Sequence, residues 1–463
     1  MSDTTVGLCR ITIRAPESVF ELGIPVDVPL VELMPVLLDY AGDGLDELAL
    51  EHGGWVLQRL GAPPLDGELT ARALELRDGD TLHLRPRNET LPEAAFDDLV
   101  DGVGEVLRSR SDSWRPELTR RLLLGLTVSA LAGSLVTLLL PGPSALLRAG
   151  ACAALALLLL ACAGIASRAV GDAAGGAALA AVAVPCLGVA GALVPTEGGP
   201  EALLGARLLA GGATATGATV LGLAAVAACV PLFLGAFTVT LLTAVTGGLV
   251  LAGLDLPAAA CVVALAAVVV GGLAPGLSFR LAGLRLPLPP ATSEDLQDDI
   301  EPHEPRRVTL RAVTASNYLT GLYTGLGVVL AAAVTALATG PATDDWPEPV
   351  FAAALSVLLL LHVRSVGSLW QRLAMLLPGA YGLLLSACVT AAGAGPAGRL
   401  GMTVGLVAAA AVAAVAAWTV PGRRLVPYWG RAGDLLHTGV AIALIPLALA
   451  ATGVYHLIRG ISG

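Results

Sequence analysis

Lysine is missing from this chain of 463 residues, so all 27 basic side chains are arginine, and charge of either sign is scarce at 14% of positions. Soluble domains carry roughly 25% charged residues. With 55% apolar residues and a mean hydropathy of +0.77 beside that shortage, most of the chain belongs in lipid. The absence of lysine, in a chain rich in Ala, Gly and Val, reads as GC-rich codon bias and carries no mechanism. A basic face for nucleic acid is also lacking, and the net charge of -10 is spread over a head and loops, so nucleic acid is not expected as a ligand.

Cysteine is present but unorganised. Cys9, Cys152, Cys162, Cys186, Cys229, Cys261 and Cys388 are odd in number and scattered. They form neither a zinc-type CxxC spacing nor a disulfide framework, so small buried side chains are expected and no metal site is assigned. Residues 2–20 include Asp3, Arg10, Arg14 and Glu17 and lack the apolar core of a signal peptide, which keeps the N-terminal region in the cytoplasm. Ser/His/Asp, Cys/His and phosphate-cradling Gly-rich arrangements do not occur in that region, where His52 and His83 stand alone. No catalytic or cofactor-binding residue follows.

From Arg121 onward the pattern changes to apolar runs of the length a bilayer requires, roughly 20 residues in helical form. Eleven spans are predicted, at 121–140, 145–167, 173–194, 204–227, 231–252, 257–278, 316–339, 347–364, 372–393, 399–420 and 434–457. The break around Cys229 to Pro231 is the weakest, and its loss would invert everything after it. Arginine tests the count, because it collects in cytoplasmic loops. With the N-terminus inside, those loops receive Arg168, Arg280, Arg285, Arg306, Arg307, Arg311, Arg364, Arg372, Arg423, Arg424 and Arg431, and the far side receives Arg148, Arg207, Arg399 and Arg459.

Charge is absent from the middle of every span, which counts against a proton- or ion-coupled transporter. Asp172, Arg207, Asp255, His362, Arg364 and His437 fall at span ends, where interfacial solvation accounts for them. The deeper polar groups are hydroxyls, Thr214, Thr216 and Thr219 in the fourth span and Thr238, Thr240, Thr243 and Thr246 in the fifth, expected to bond to their own or a neighbouring helix. Small-xxx-small spacings at Gly272/Gly276, Gly321/Gly325 and Gly401/Gly405 predict close helix packing, within the bundle or against a second copy.

Residues 1–88 read as a soluble α+β domain. Strands are predicted at 7–14, 18–27, 55–60 and 80–85, with a helix from Leu30 that Asp27 caps and that Pro35 kinks or delays. Domain boundaries are set at 1–88, 89–120 and 121–463. In 89–120, Phe96, Leu99, Val103 and Val106 recur at helical spacing opposite Asp97, Asp98, Asp101 and Glu105, predicting an amphipathic linker helix whose acidic face favours a protein contact over anionic lipid. Trp114, Arg115, Arg120 and Arg121 form a candidate membrane-interface anchor. The loop at 280–315 is Pro-rich, then acidic, then basic at Arg306 and Arg307, which together with the linker residues are candidate partner-docking positions.

The order ββαββ, and above all the segment LRDGDTLHLRPR at 76–87, resembles a ubiquitin-like β-grasp domain. Such a head, a linker helix, eleven spans and an Arg/Pro/acidic loop between the sixth and seventh resemble the EccD family, polytopic membrane components of the actinobacterial type VII (ESX) secretion system. The resemblance implies a non-enzymatic scaffold in the bacterial inner membrane, N-terminus cytoplasmic and C-terminus periplasmic. It implies a second copy of the chain, membrane lipids and the EccB, EccC (ATPase) and EccE components as partners, and no cofactor. Head length and the short linker lean toward the ESX-3 paralogue. The alternative is a secondary transporter with a cytosolic regulatory domain. A membrane enzyme on lipid-linked substrates would need His or carboxylates in the outer loops, where only His456 comes near.

Overall fold

The computed structural model describes residues 8–16, 18–42, 45, 54–87, 116–284, 305–340, 346–420, 427–455 and 459. Two compact units divide the chain, Met1–Arg115 and Pro116–Gly463.

In the first unit β1 (Leu8–Arg14), β2 (Val19–Pro25), α1 (Leu30–Ala41), β3 (Trp55–Gln58) and β4 (Thr81–Pro86) follow in the expected order. The sheet runs β2-β1-β4-β3, with β1 and β4 parallel and both outer pairs antiparallel. Alternation decides which face is buried: Cys9, Ile11 and Ile13 of β1 point into the core with Leu82 and Leu84 of β4, and α1 adds Leu30, Leu37 and Leu38. The helix starts at Leu30 and runs through Pro35. The residue before it, Pro29, gives no side-chain cap, and Asp27 instead pairs with Arg72 at 3.2 Å. The orphan N–H groups of Leu30 and Val31 are satisfied by the carbonyls of Leu69 and Gly67, at 3.1 and 2.8 Å. Tertiary hydrogen bonds thus replace the cap that the sequence suggested. The 76–87 segment turns tightly at Gly79, whose φ of +91° favours glycine, and Gly79 N–H donates to Arg10 O at 2.8 Å, laying β4 beside β1.

The second unit consists of α2 (Pro116–Leu139), α3 (Ala145–Arg168), α4 (Ala173–Ala192), α5 (Pro200–Val226), α6 (Val230–Leu251), α7 (Leu256–Leu281), α8 (Pro305–Thr339), α9 (Pro347–His362), α10 (Leu369–Gly393), α11 (Pro396–Thr419) and α12 (Pro427–Ala451). Among the described residues eleven helices are long and apolar enough to cross a membrane. The doubtful boundary is real: α5 and α6 are separate helices, parted by Ala227 and Cys229, both in the left-handed region at φ 53° and 54°. One correction concerns a helix end. Arg306, Arg307 and Arg311 are not in a loop, because α8 begins at Pro305 and continues for 35 residues. The eighth span closes with a 3-10 turn at Val363–Ser365.

One cluster joins α3 to α6, around Phe233 and Leu159, with Val128 and Leu131 of α2 against it. A larger one joins α7, α8, α9, α10 and α12 around Leu326, Leu330, Phe351 and Leu355. The helix α8 runs through that cluster and also crosses α6, by glycine: a Cβ on Gly235 would lie 2.7 Å from Gly321 O, and one on Gly325 would lie 3.0 Å from Gly235 Cα. Of the three small-residue spacings, Gly321/Gly325 is therefore used for packing inside the chain. A Cβ on Gly272, Gly276, Gly401 or Gly405 would meet nothing within 4 Å.

Candidate functional site

On the head, the face of the sheet away from α1 is left open by the described residues along β2, β1 and β4. Val19, Arg14, His83 and Gln58 form one row across β2, β1, β4 and β3. Gln58 is buried and donates to Ala62 O at 2.7 Å, which closes the β3 end of the row. Arg14 and Arg85 flank His83; burial first, and then these two positive charges, hold its imidazole below the usual histidine range. Arg10, on the same strand as Arg14, is paired with Glu21 at 3.6 Å.

In the membrane unit the span-end charges serve neighbouring helix termini rather than open solvent. Arg168 donates from Nε to Ala225 O at 2.9 Å and also to Ala224 O, both in the last turn of α5, and Ser167 donates to Val226 O at 2.6 Å. Arg399 reaches Ala391 O and Ala394 O at the end of α10, at 3.1 and 3.0 Å, and Arg311 reaches Gly283 O at 3.0 Å. A guanidinium, with its fork of donors, suits the unpaired carbonyls and negative dipole end of a helix. At the opposite kind of terminus Asp172 and Asp255 accept from Gly175 N–H and Ala258 N–H at 2.8 and 2.9 Å. The Arg120 guanidinium bonded to Asp172 holds that carboxyl below the usual range.

The hydroxyls behave as expected. Thr214 bonds to Ala210 O at 2.9 Å and across to Leu187 O at 3.0 Å, and Thr216 bonds to Gly212 O at 2.8 Å and to Thr240 at 3.1 Å. His362 and His437 depart from the span-end reading. They stack with ring centroids 5.7 Å apart, and His362 Nε2 lies 3.4 Å from Tyr323 Oη, joining α9, α12 and α8. This corner caps an apolar cavity of about 200 Å³, walled by Leu326, Leu358, Leu359 and Met375 and by the bare backbone of Gly271 and Gly272.

The predicted site residues scatter. Arg306 and Arg307 are exposed in the first turn of α8, and Arg120 and Arg121 are exposed in the first turns of α2. Phe96, Leu99, Val103, Val106, Trp114 and Arg115, and with them the linker helix, lie outside the described residues. The Arg14–His83–Arg85 row was missed because its members are far apart in sequence and meet only through the parallel β1–β4 register.

Residues 119–461 match the family model of the EccD-like transmembrane domain. The chain belongs to the EccD family. Residues 8–84 match YukD, a protein of the WXG100 protein secretion system (Wss), so the head is of the ubiquitin-like YukD type. Its similarity to curated relatives is local. The ESX-4 secretion system protein eccD4 of Mycobacterium tuberculosis is 30% identical over 138 residues, 30% of this chain and 28% of that protein. The ESX-5 secretion system protein EccD5 of the same species is 36% identical over 121 residues, 22% of this chain and 24% of its own. The chain thus spans about a quarter of the length of the curated relatives it matches. The fold compares over far more of the EccD chain. A chain of the MycP5-free ESX-5 inner membrane complex, State II, superposes with a TM-score of 0.58 at 21% identity, covering 89% of this chain and 99% of that one. Protomer 1 of the ESX-3 core complex gives a TM-score of 0.57 at 20% identity, covering 97% and 100%. At such identities the likeness is one of fold, and it selects no paralogue among ESX-3, ESX-4 and ESX-5.

Proposed function

We propose that this EccD chain is a non-enzymatic scaffold of a type VII (ESX) secretion complex, paired with a second copy in the inner membrane, whose head docks the cytosolic ATPase component. The observation that carries this reading is the joining, in one chain, of a YukD-type head to an EccD-like transmembrane domain. The relatives in sequence are named as ESX secretion system proteins, and the structures of like fold come from ESX complexes. The polar chemistry of the spans agrees, since hydroxyls bond within the bundle and arginines cap helices, which leaves the described helices to pack rather than to carry an ion. The arginine distribution supports a cytoplasmic N-terminus and a periplasmic C-terminus. In this arrangement EccB, EccC and EccE assemble with the paired bundle, Arg306 and Arg307 face a cytosolic partner together with the linker residues, and Arg120 and Arg121 hold the first span at the interface.

Deleting residues 1–90 tests the docking role. The truncated chain should insert in the membrane as before, while recovery of the ATPase on affinity purification falls. Undiminished recovery would overturn it.

A further inference from the structure

The face of the head's sheet away from α1 carries positive charge that none of the head's described residues neutralises. Arg14 stands opposite His83 in the β1–β4 register, and Arg85 follows on the same face of β4. Among the described residues the head's ion pairs are Arg10–Glu21, Arg59–Asp80 and Arg72–Asp27, and neither Arg14 nor Arg85 has a carboxylate partner. Like charges on neighbouring strands repel, and a sheet face holding two of them uncompensated is complementary to carboxylates. Val19, next to Arg14 in the row, is 64% exposed, so an apolar side chain stands beside the charge.

We propose that the Val19–Arg14–His83 row, with Arg85, is the docking surface for an acidic segment of a partner protein, carboxylates seating on Arg14 and Arg85 and an apolar side chain on Val19. This rests on the reading of the head as a docking module and names the face and chemistry by which it docks. A protein fits better than an anionic bilayer, because lipid-binding clusters hold about four to eight basic residues. Here three arginines share the face with Glu21, which pairs with Arg10 and lies one same-face step from Val19 on β2. His83 adds a signature. The charged groups that face it are Arg14 from β1 and Arg85 on its own strand, while β3 presents neutral Gln58. A carboxylate brought to this row favours the imidazolium, so docking tightens as the pH falls through the histidine range.

The test places a photo-crosslinking p-benzoylphenylalanine at Val19, at Thr81 or, on the other side of the head, at Asp39 of α1, in the full chain within its native membrane. Crosslinked peptides are then identified by mass spectrometry. Val19 and Thr81 should crosslink to an Asp/Glu-rich segment of another protein and Asp39 should not. Arg14→Glu with Arg85→Glu should lower the yield at least tenfold, whereas Arg14→Lys with Arg85→Lys should keep most of it and so exclude misfolding. No crosslink from Val19 or Thr81, crosslinks to lipid or to a non-acidic segment, equal crosslinking from Asp39, or indifference to charge reversal would each overturn the proposal. The 1–90 deletion separates it from the broader reading. Loss of the ATPase on deletion but not on charge reversal leaves docking intact and this face wrong, and retention in both removes docking itself.

Discussion

The crossing of α6 and α8 gives a quantitative test of how the bundle is held together. A methyl group on Gly235 would stand 2.7 Å from Gly321 O, whereas ordinary contact begins at 3.4 Å, so the helices would have to part by about 0.7 Å. The same separation loosens Thr238 against Gly325, where the fit is close enough that a Cβ added to Gly325 would lie 3.0 Å from Thr238 Cβ. Overpacking of this kind costs about 1–3 kcal/mol, and the better helix propensity of alanine offsets at most about 1 kcal/mol. Gly235→Ala should therefore destabilise the purified chain by about 1–2 kcal/mol. Gly272→Ala and Gly401→Ala, whose Cβ atoms would meet nothing within 4 Å, should be neutral or slightly stabilising. Unfolding of the monomeric chain by SDS titration in mild detergent, followed by tryptophan fluorescence, reads the difference. If Gly235→Ala matches the parent, or if Gly401→Ala is equally harmful, the crossing does not hold the bundle as described.

Two further predictions concern charge. Arg168→Ala removes two bonds to the last turn of α5, at Ala224 and Ala225, and should cost about 0.3–1 kcal/mol in the same titration, with Arg168→Lys intermediate because it keeps the charge but not the fork. An unchanged midpoint would show that the cap is idle. In the head, burial would raise the Asp80 pKa, but the hydrogen bond from Arg59, the Arg77 N–H and the charge of both arginines outweigh it and hold the carboxyl below the usual range. A depressed folded-state pKa stabilises above the unfolded value of about 3.9 and is lost as the pH falls through the folded value. Partial exposure keeps the effect at or below about 1 kcal/mol. Asp80→Asn should weaken the head near pH 7 and flatten its acid dependence, read by hydrogen exchange of head peptides after correction for intrinsic rates. Unaltered acid sensitivity would contradict the assignment.

What the sequence made legible follows from what each property depends on. Membrane spans depend on composition over a window, so the eleven runs could be counted directly, and even the α5–α6 break left a mark at Cys229 to Pro231. The start of α8 did not, because an apolar run cannot reveal a helix that extends past it into residues such as Arg306 and Arg307. Alternation at Cys9, Ile11 and Ile13 located β1, while the Asp27 cap failed because the carbonyls that satisfy α1 come from Gly67 and Leu69, which only the fold brings near. Partner identity is the common gap. In a chain with 55 glycines, spacing alone could not separate Gly321, where a Cβ would meet the backbone of Pro231, from Gly401, where one would meet nothing within 4 Å. The same holds for Arg168 on the end of α5, for His362 against His437, and for Arg14 beside His83.

The scaffold account is tested most directly by purifying the tagged full chain from its native membrane in mild detergent, measuring the mass of the particle and identifying its proteins. The account predicts a megadalton assembly that holds more than one copy of this chain together with an ATPase component. A lone monomer that takes up solute in proteoliposomes without any partner would contradict it.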